Sequence, residues 1–227
     1  MGRKKKLQHF AENLTFDNLF QLRFDQLTTN GFSLKGKWNS FFKNNNPIIL
    51  ELGCGKGEYT IGLAKANPSN NYIGIDIKGA RLWRGLKNAR EENLGNVAFI
   101  RSRVELIEYF FEKDEVSEIW ITFPDPQLVS SRERKRLTNQ MFLTRYKSFL
   151  KKDGVIHLKT DSQSFFEYTI DIIQANKHVL HQQISNLYDY PGEEVVKSIK
   201  TFYELKWLKE GIPIKYIRFS LHDERSA

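Results

Sequence analysis

The sequence predicts a doubly wound α/β fold with a mostly parallel, seven-stranded sheet, helices on both faces and an N-terminal extension. Three observations support this class. Apolar runs of strand length alternate with segments of helical periodicity from residue 47 onward. A glycine-rich turn joins the first run to the first helical segment, and an acid closes the second run. Residues 47–227 are therefore expected to form one domain, preceded by an extension over residues 1–46.

The strands are predicted from short apolar runs bounded by turn residues. The first five are apolar almost throughout, which is typical of parallel strands covered on both faces. The seven strands are expected at 47–53, 71–77, 96–102, 115–123, 155–160, 178–188 and 213–221.

The helices are predicted from apolar stripes that end at a proline or a glycine. Six are expected, at 57–68, 79–95, 104–113, 136–154, 162–176 and 193–211. Ser130 and Glu133 have the spacing of a capping box, which moves the expected start of the fourth helix back to Ser130. The extension contains a basic start and many aromatic residues, and short helical pieces packed on the core are expected there.

Composition restricts the class of partner and the compartment. The net charge of +8 and the pI of about 9.4 favour a polyanionic partner, such as nucleic acid. The single cysteine, Cys54, excludes an internal disulfide and a thiolate metal cluster, and indicates the reducing cytoplasm. No apolar run approaches the roughly 20 residues that span a bilayer, and the basic N-terminus lacks the apolar segment of a secretory signal. We therefore expect a cytoplasmic protein without a membrane or metal partner.

The loop after the first strand predicts a nucleoside-containing cofactor. Gly53, Gly55 and Gly57 allow a tight turn and a close approach of ligand to backbone, and Asp76 can accept hydrogen bonds from ribose hydroxyls. Glu51 would repel a pyrophosphate but could meet a cationic ligand, and S-adenosylmethionine carries an ammonium and a sulfonium. The alternatives are a solvated acid for Glu51 and a helix N-cap for Asp76.

The sequence Pro-Asp-Pro follows the fourth strand. Ligands of doubly wound sheets bind beyond the carboxyl ends of the strands, so Asp125 is expected to face the same crevice as the glycine loop. The two prolines restrict the backbone and stiffen the loop. A basic run follows the loop at residues 131–136. Cations at the start of a helix oppose its macrodipole, and binding to nucleic-acid phosphates would explain why they occur there. A turn aspartate and a plain basic surface are the alternatives.

Five segments together resemble bacterial tRNA (guanine-N7-)-methyltransferases, which are class I S-adenosylmethionine-dependent enzymes with a Rossmann-like fold. The segments are ELGCGKGEY, IGIDIKGARLWRGLKNA, ITFPDP with its basic run, HLKTDSQSFFEY and TFYELKWLKEGIPIKYI. Generic class I methyltransferases share the glycine loop and the ribose acid but lack the other three segments together. The resemblance covers roughly residues 45–220.

The resemblance implies roles for individual residues. Asp125 would lie at the methyl-transfer centre, shared by cofactor and guanine, as the catalytic residue. The cofactor S-adenosylmethionine would be bound by Glu51, Gly53, Gly55, Gly57, Asp76, Asp125 and the backbone around Arg103. The resemblance also implies substrate-side positions at Asp161, Thr201, Tyr203 and Glu204. From their charge, and not from the resemblance, Arg132, Arg134, Lys135 and residues 3–6 are expected to bind tRNA phosphates.

Two positions depart from the family pattern. The family usually has Pro-Asp-Pro-Trp-Pro-Lys, whereas Gln127, Leu128 and Val129 stand in the last three places here. An acid that meets the adenine amino group in the family is replaced by Arg103. Arg132, Arg134 or Lys135 would have to substitute for the missing lysine.

The implied reaction is methylation of a variable-loop guanosine, position 46 in tRNA numbering. Guanine N7 has a free lone pair, so alignment and stabilisation of the purine cation matter more than a general base. Three alternatives stay open at this point: a class I methyltransferase with another substrate, a nicotinamide-dependent oxidoreductase, and a non-catalytic RNA-binding protein on the same fold. A monomer and a homodimer are both compatible with the sequence.

Overall fold

The computed structural model describes residues 3–222, with side chains from residue 6 onward. The predicted phosphate contacts of residues 3–5 therefore lie outside the described side chains. The chain divides into two compact units, one up to residue 112 and one from residue 113 onward. Within residues 3–222 no helix is both long and apolar enough to cross a membrane.

The first unit contains four strands that are all parallel and run in the order β1-β4-β3-β2. They are β1 (Leu19–Phe20), β2 (Ile48–Leu52), β3 (Asn71–Ile75) and β4 (Val97–Ile100). Its helices are α1 (Arg3–Asn13), α2 (Phe24–Asn30), α3 (Trp38–Phe42), α4 (Glu58–Ala66) and α5 (Gly79–Glu91), with a 3-10 helix at Val104–Tyr109.

The extension contributes a strand that the sequence pattern does not reveal. Leu19 and Phe20 pair in parallel with Phe99 and Ile100 of β4, which gives eight strands in the described chain where seven were predicted. A two-residue strand is too short to show alternation, so periodicity cannot identify it. Trp38 of α3 is completely buried, and its indole N–H donates to the carbonyl of Phe110 at 3.0 Å. Trp38 and three phenylalanines of the extension, Phe16, Phe32 and Phe42, thus form part of the core of this unit.

The second unit combines parallel and antiparallel pairing in the order β5-β6-β8-β7. Strands β5 and β6 are parallel, whereas β8 is antiparallel to both β6 and β7. The strands are β5 (Val116–Thr122), β6 (Leu150–Thr160), β7 (Val179–Ile184) and β8 (Lys215–Ser220). The helices are α6 (Gln140–Lys147), α7 (Gln163–Ala175), α8 (Glu194–Ser198) and α9 (Phe202–Lys209), with a 3-10 helix at Ser130–Lys135. The predicted α/β class with mostly parallel strands is confirmed.

Two of the predicted helix limits are wrong. The capping box at Ser130 does not form, because residues 130–135 make a 3-10 helix whose N-cap is Val129. The α-helix begins only at Gln140, where the Asn139 side chain accepts a hydrogen bond from the amide of Met141 at 3.0 Å. The predicted C-terminal end of the same helix is instead the first part of β6, which starts at Leu150.

A buried histidine of the second unit should make stability depend on pH. His178 is 7% exposed, and its Nδ1 accepts a hydrogen bond from the amide of His222 at 3.1 Å. Burial, followed by the nearby charges of Lys147 and His222, lowers the pKa of His178 from 6.5 to about 4. The folded state therefore disfavours the proton that the unfolded chain binds below pH 6.5. This histidine stabilises the fold fully above that pH, and the stabilisation is lost as the pH falls toward 4.

We expect the free energy of unfolding to fall between pH 7 and pH 5 by about 1 to 2 kcal/mol more in the wild type than in His178→Asn. Urea denaturation at both pH values measures the difference. His181→Asn is the control, because His181 lies close by in the chain, within β7, but is exposed. Equal pH dependence of the wild type and His178→Asn would contradict the assignment.

Candidate active site

The glycine loop between β2 and α4 has the backbone conformation that its sequence predicts. Gly53, Gly55 and Gly57 all have positive φ, at 70°, 57° and 70°, a region that favours glycine. A Cβ at Gly53 or Gly55 would meet no atom within 4 Å, so a ligand can approach the backbone at both glycines. A Cβ at Gly57 would lie 2.7 Å from the Phe99 ring. The third glycine therefore permits close packing of the loop on β4.

Glu51 is buried at the end of β2 and is not the solvated acid of the alternative interpretation. It is 3% exposed, and its Oε2 accepts hydrogen bonds from the amide of Thr60, at 2.8 Å, and from the Thr60 hydroxyl. Thr60 lies in the first turn of α4, where free amides and the helix dipole favour a carboxylate. Glu51 thus fixes the helix that follows the glycine loop.

Asp76 is half-buried after β3 and contacts the same loop. Its Oδ2 accepts from the amide of Gly55 at 3.0 Å, and its Oδ1 accepts from the amide of Lys78 at 2.6 Å. It is not the N-cap of α5, since that position belongs to Lys78. The structure therefore brings Asp76 directly to the glycine loop.

The electrostatics of the loop favour a cationic ligand. Burial raises the pKa of the Cys54 thiol, and the carboxylates of Glu51 and Asp76 raise it further. The thiol therefore stays protonated and is a poor nucleophile. The same two carboxylates would repel a pyrophosphate, whereas they would attract an ammonium or a sulfonium. These residues fit S-adenosylmethionine better than a dinucleotide.

Arg103 follows β4 and is exposed. It is the N-cap of the 3-10 helix at 104–109, and its carbonyl accepts from the amide of Leu106 at 3.1 Å. The contact of this backbone with adenine stays a prediction.

Asp125 is exposed in a loop that is restrained on both sides. Its Oδ1 accepts from the amide of Gln127 at 3.1 Å. Phe123 and Gln127 both have φ of 47°, an unfavourable conformation for residues with a side chain. The amide of Phe123 also donates to the carbonyl of Lys159 at 2.8 Å. The loop is therefore held in one conformation with its carboxylate accessible.

Arg136 is a further residue of this loop that sequence reasoning did not single out. Its guanidinium donates to the carbonyls of Pro126, at 3.2 Å, and Gln127, at 3.2 and 3.4 Å. The group also lies over the ring of Tyr168, 4.3 Å from the centroid. The Tyr168 hydroxyl donates to Glu133 at 3.1 Å. Arg136 belongs to the basic run, but only its contacts distinguish it from the exposed cations.

Those cations are Arg132, Arg134 and Lys135, and all three are exposed on the 3-10 helix. Leu128 and Val129, which stand where the family has Pro-Lys, are 68% and 60% exposed. The surface beside the loop is thus apolar at its start and basic in the following turn.

The residues predicted on the substrate side differ in burial. Tyr203 is 45% exposed on α9 and Asp161 is half-buried after β6. Thr201 is 7% exposed and caps α9 by accepting from the amide of Glu204 at 3.2 Å. Glu204 has no exposed surface and forms an ion pair of 2.7 Å with Lys159, which is equally buried.

Lys159 is the second residue that the sequence did not reveal. Its Nζ donates to the carbonyls of Val196, at 2.6 Å, and Ile199, at 3.3 Å. The Tyr188 hydroxyl donates to the same carboxylate of Glu204 at 2.7 Å. Burial lowers the pKa of Lys159, and the Glu204 carboxylate acts against that shift. The ion pair joins β6 to the segment that carries Thr201 and Tyr203.

No group of three or more His, Cys, Asp or Glu side chains among the described residues could hold a metal ion.

The sequence of the chain is similar to those of known methyltransferases. Residues 45–217 match the model of the family described as "Putative methyltransferase". A tRNA (guanine-N(7)-)-methyltransferase of Christiangramia forsetii is 55% identical over 97% of this chain and 100% of its own length. One of the same name from Bacteroides thetaiotaomicron is 46% identical over 97% of this chain and 87% of its own length.

Solved structures resemble the chain in fold. The structure of an antibiotic-related methyltransferase has a TM-score of 0.62 at 20% identity, and covers 83% of this chain and 94% of its own. The 16S rRNA methyltransferase KamB has a TM-score of 0.63 at 12% identity, with the same coverage. At these identities the likeness establishes the fold alone, whereas the near-full-length relatives establish the family. The chain belongs to the tRNA (guanine-N(7)-)-methyltransferase family.

Proposed function

We propose that the protein transfers a methyl group from S-adenosylmethionine to N7 of a guanosine in the variable loop of tRNA, at position 46. The observation that carries the proposal is the 55% identity, over 97% of this chain, to a relative that bears the name of this activity. Two structural features also support the proposal. The glycine loop is open and has two carboxylates beside it, and Asp125 is accessible in a restrained loop.

S-adenosylmethionine, when bound, supplies an electrophilic methyl group next to a positive sulfur. Gly53 and Gly55 leave the backbone of the loop open for it, and the backbone after β4, at Arg103, is assigned to adenine. Asp76 is suited to the ribose hydroxyls, although it already accepts from two amides, because a carboxylate can accept several hydrogen bonds. Glu51 contributes negative charge close by.

Asp125 is assigned two roles toward guanine. Its carboxylate can accept a hydrogen bond from the N1–H and N2 edge of the base, and so orient N7 toward the methyl group. It also favours the positive charge that forms on the purine as N7 is alkylated. Because N7 already carries a lone pair, no residue needs to remove a proton before the transfer.

The test is transfer of labelled methyl from S-adenosylmethionine to unmodified tRNA, followed by chemical cleavage specific for 7-methylguanosine. We expect label in tRNA and a cleavage position in the variable loop. Label at another position would indicate a different substrate specificity. Binding of tRNA without any transfer would contradict the proposal and favour a non-catalytic RNA-binding protein.

The exposed cations behind the loop are proposed to contact tRNA phosphates. Replacement of Arg132, Arg134 and Lys135 by Gln should weaken the binding of tRNA and make its affinity less sensitive to salt. Each lost phosphate contact lowers the slope of log K against log salt by about 0.7 to 0.9, so the triple variant should lose roughly 2. Filter binding from 50 to 200 mM salt measures the slope.

A matched control replaces three other exposed lysines, Lys37, Lys43 and Lys209, by Gln. It removes the same net charge, so it shows how much of the effect is unspecific. A wild-type affinity that does not change with salt would refute the assignment of phosphate contacts.

Asp161 and Tyr203 are proposed as substrate contacts from the second unit, with Thr201 and Glu204 forming the structural base of that segment. A cytoplasmic location is proposed from the tRNA substrate and the single cysteine. Residues 1–46 are proposed as an extension of a catalytic domain formed by residues 47–227.

A further inference from the structure

A pocket of about 220 Å³ lies at the amino-terminal end of strands β5 and β6 in the second unit. It is formed by residues before β5, the end of α6, the start of β6 and residues after β8. Its charged or titratable lining residues are Lys113, Asp114, Lys147, Lys151, Lys152 and His222. Asp125 follows the opposite, carboxyl end of β5, and a strand of seven residues is about 20 Å long. The pocket is therefore distinct from the Pro-Asp-Pro loop.

The charge of the pocket is strongly unbalanced. Four lysines face one aspartate, which leaves a net charge of +3 when His222 is neutral. Like charges that line one concave surface repel each other, and they focus a positive potential into it. An anion in the pocket would relieve the repulsion.

The positive potential reaches the buried side chains next to the pocket. Lys147 and His222 both act to lower the pKa of His178, after the larger effect of burial. His178 accepts a hydrogen bond from the His222 amide through Nδ1, whereas its buried Nε2 has no hydrogen-bond partner among the described residues. Two of the groups that line the pocket, Lys147 and His222, thus act on the same buried histidine.

The backbone that carries two of the lysines is tightly packed. Gly154 is buried, and a Cβ there would lie 2.6 Å from Cγ of Leu150 and 2.8 Å from the carbonyl oxygen of Lys151. Any larger residue would have to displace this segment. The positions of Lys151 and Lys152 are therefore fixed by the strand, although their side chains are exposed.

We propose that this pocket binds a phosphate group, and that a backbone phosphate of the tRNA substrate is its natural occupant. Several ammonium groups suit the distributed charge of a phosphate, which binds lysine as a point charge. The volume favours a group on a larger chain over a free nucleotide, because sites for whole small molecules usually have about 300 to 1,000 Å³. The choice of tRNA rests on the proposed function.

The first test compares tRNA binding by the wild type, by the pocket variant Lys147→Gln/Lys151→Gln/Lys152→Gln, and by the control Lys37→Gln/Lys43→Gln/Lys209→Gln. We expect the pocket variant to bind tRNA roughly tenfold more weakly at 150 mM salt, with the slope of log K against log salt reduced by about 1 to 2. The control should stay within about twofold of the wild type. Turnover at saturating tRNA should be unchanged in both variants, because the pocket is remote from Asp125.

The second test needs no tRNA. Tripolyphosphate is added to the full-length protein, and the ring signals of His178 and His222 are followed by NMR, with His181 as an exposed reference. A saturable shift in the wild type that is absent in the pocket variant supports a phosphate site. If this shift occurs while tRNA affinity is equal in all three proteins, the phosphate site is supported and its occupant is a free phosphorylated compound.

Two results would overturn the proposal. One is an unchanged tRNA affinity together with ring signals that do not respond to tripolyphosphate. The other is an equal loss of tRNA affinity in the pocket variant and the control, again without a response of the ring signals. Methylation by the wild type is measured in the same preparations, so failure of the proposed function is recognised separately.

Discussion

Replacement of Asp125 by Ala is expected to lower kcat/KM for methyl transfer by at least about 100-fold while the protein stays folded. An electrostatic group that stabilises charge developing in a transition state typically contributes about 10² to 10³ in rate. Asp125 is exposed, so its removal leaves no cavity, and the loop keeps its other restraints from Arg136 and Lys159. The loss should therefore appear in catalysis and not in stability.

Two further variants separate the roles of Asp125. Asn at this position can still accept the hydrogen bond from the Gln127 amide, but it carries no charge. If charge on the purine is the main role, Asp125→Asn should be almost as inactive as Asp125→Ala. Asp171→Ala removes another exposed acid, on α7, and should leave turnover unchanged. A purified Asp125→Ala protein with wild-type turnover would refute the assignment.

A companion variant tests the positioning role of Arg136. Arg136→Gln removes the contacts to the carbonyls of Pro126 and Gln127 and should release the loop. Since the guanidinium of Arg136 contacts the loop carbonyls and would act through the loop, the loss of kcat should be smaller than for Asp125→Ala. Arg136→Lys should not restore activity, because an ammonium cannot reproduce the planar, forked contact.

The parts of the fold that local chemistry determines could be predicted from the sequence. The loop at Gly53 to Gly57 requires positive φ at three places, and only glycine adopts it readily. Strands β2, β3 and β4 are buried throughout, so their apolar runs are unambiguous. The contact of Asp76 with the glycine loop was predictable from its place at the end of the neighbouring strand, whereas the burial of Glu51 against Thr60 was not.

The errors of prediction have long-range causes. One continuous helix was expected over residues 193–211, but it is divided into α8 and α9 by an extended residue, Ile199. The carbonyls of Val196 and Ile199 face the ammonium of Lys159, 37 and 40 positions away in sequence. A continuous helix would use these carbonyls internally, so the buried lysine favours the break. Periodicity cannot show such a contact.

The capping box at Ser130 failed for a similar reason. Glu133 would have to turn back to the start of the helix, but it accepts from the Tyr168 hydroxyl instead. Arg136 has an extended backbone, and its side chain is bound to the Pro-Asp-Pro-Gln loop. The contacts that organise the loop are incompatible with the α-helix that the local sequence favours. Residues 130–135 therefore form a 3-10 helix instead.

Replacement of Glu204 by Leu is expected to destabilise the protein by about 3 to 5 kcal/mol. The substitution keeps a similar volume but leaves the ammonium of Lys159 buried without its carboxylate, and it removes the acceptor of the Tyr188 hydroxyl. Urea denaturation followed by circular dichroism measures the loss. Glu210→Leu, which removes an exposed acid after the same helix, should change stability by less than about 0.5 kcal/mol.

The double variant Lys159→Met/Glu204→Leu tests whether the unpaired ammonium of Lys159 causes the loss of stability. Removing both charges eliminates the unpaired cation, so the double variant should be more stable than Glu204→Leu alone. Recovery should be incomplete, because Tyr188, Val196 and Ile199 would still lack their partners in this ion pair. If Glu204 served only to contact the substrate, Glu204→Leu would keep its stability and lose activity. A stable, inactive single variant would therefore contradict the structural role, whereas an unstable one rescued by Lys159→Met would establish it.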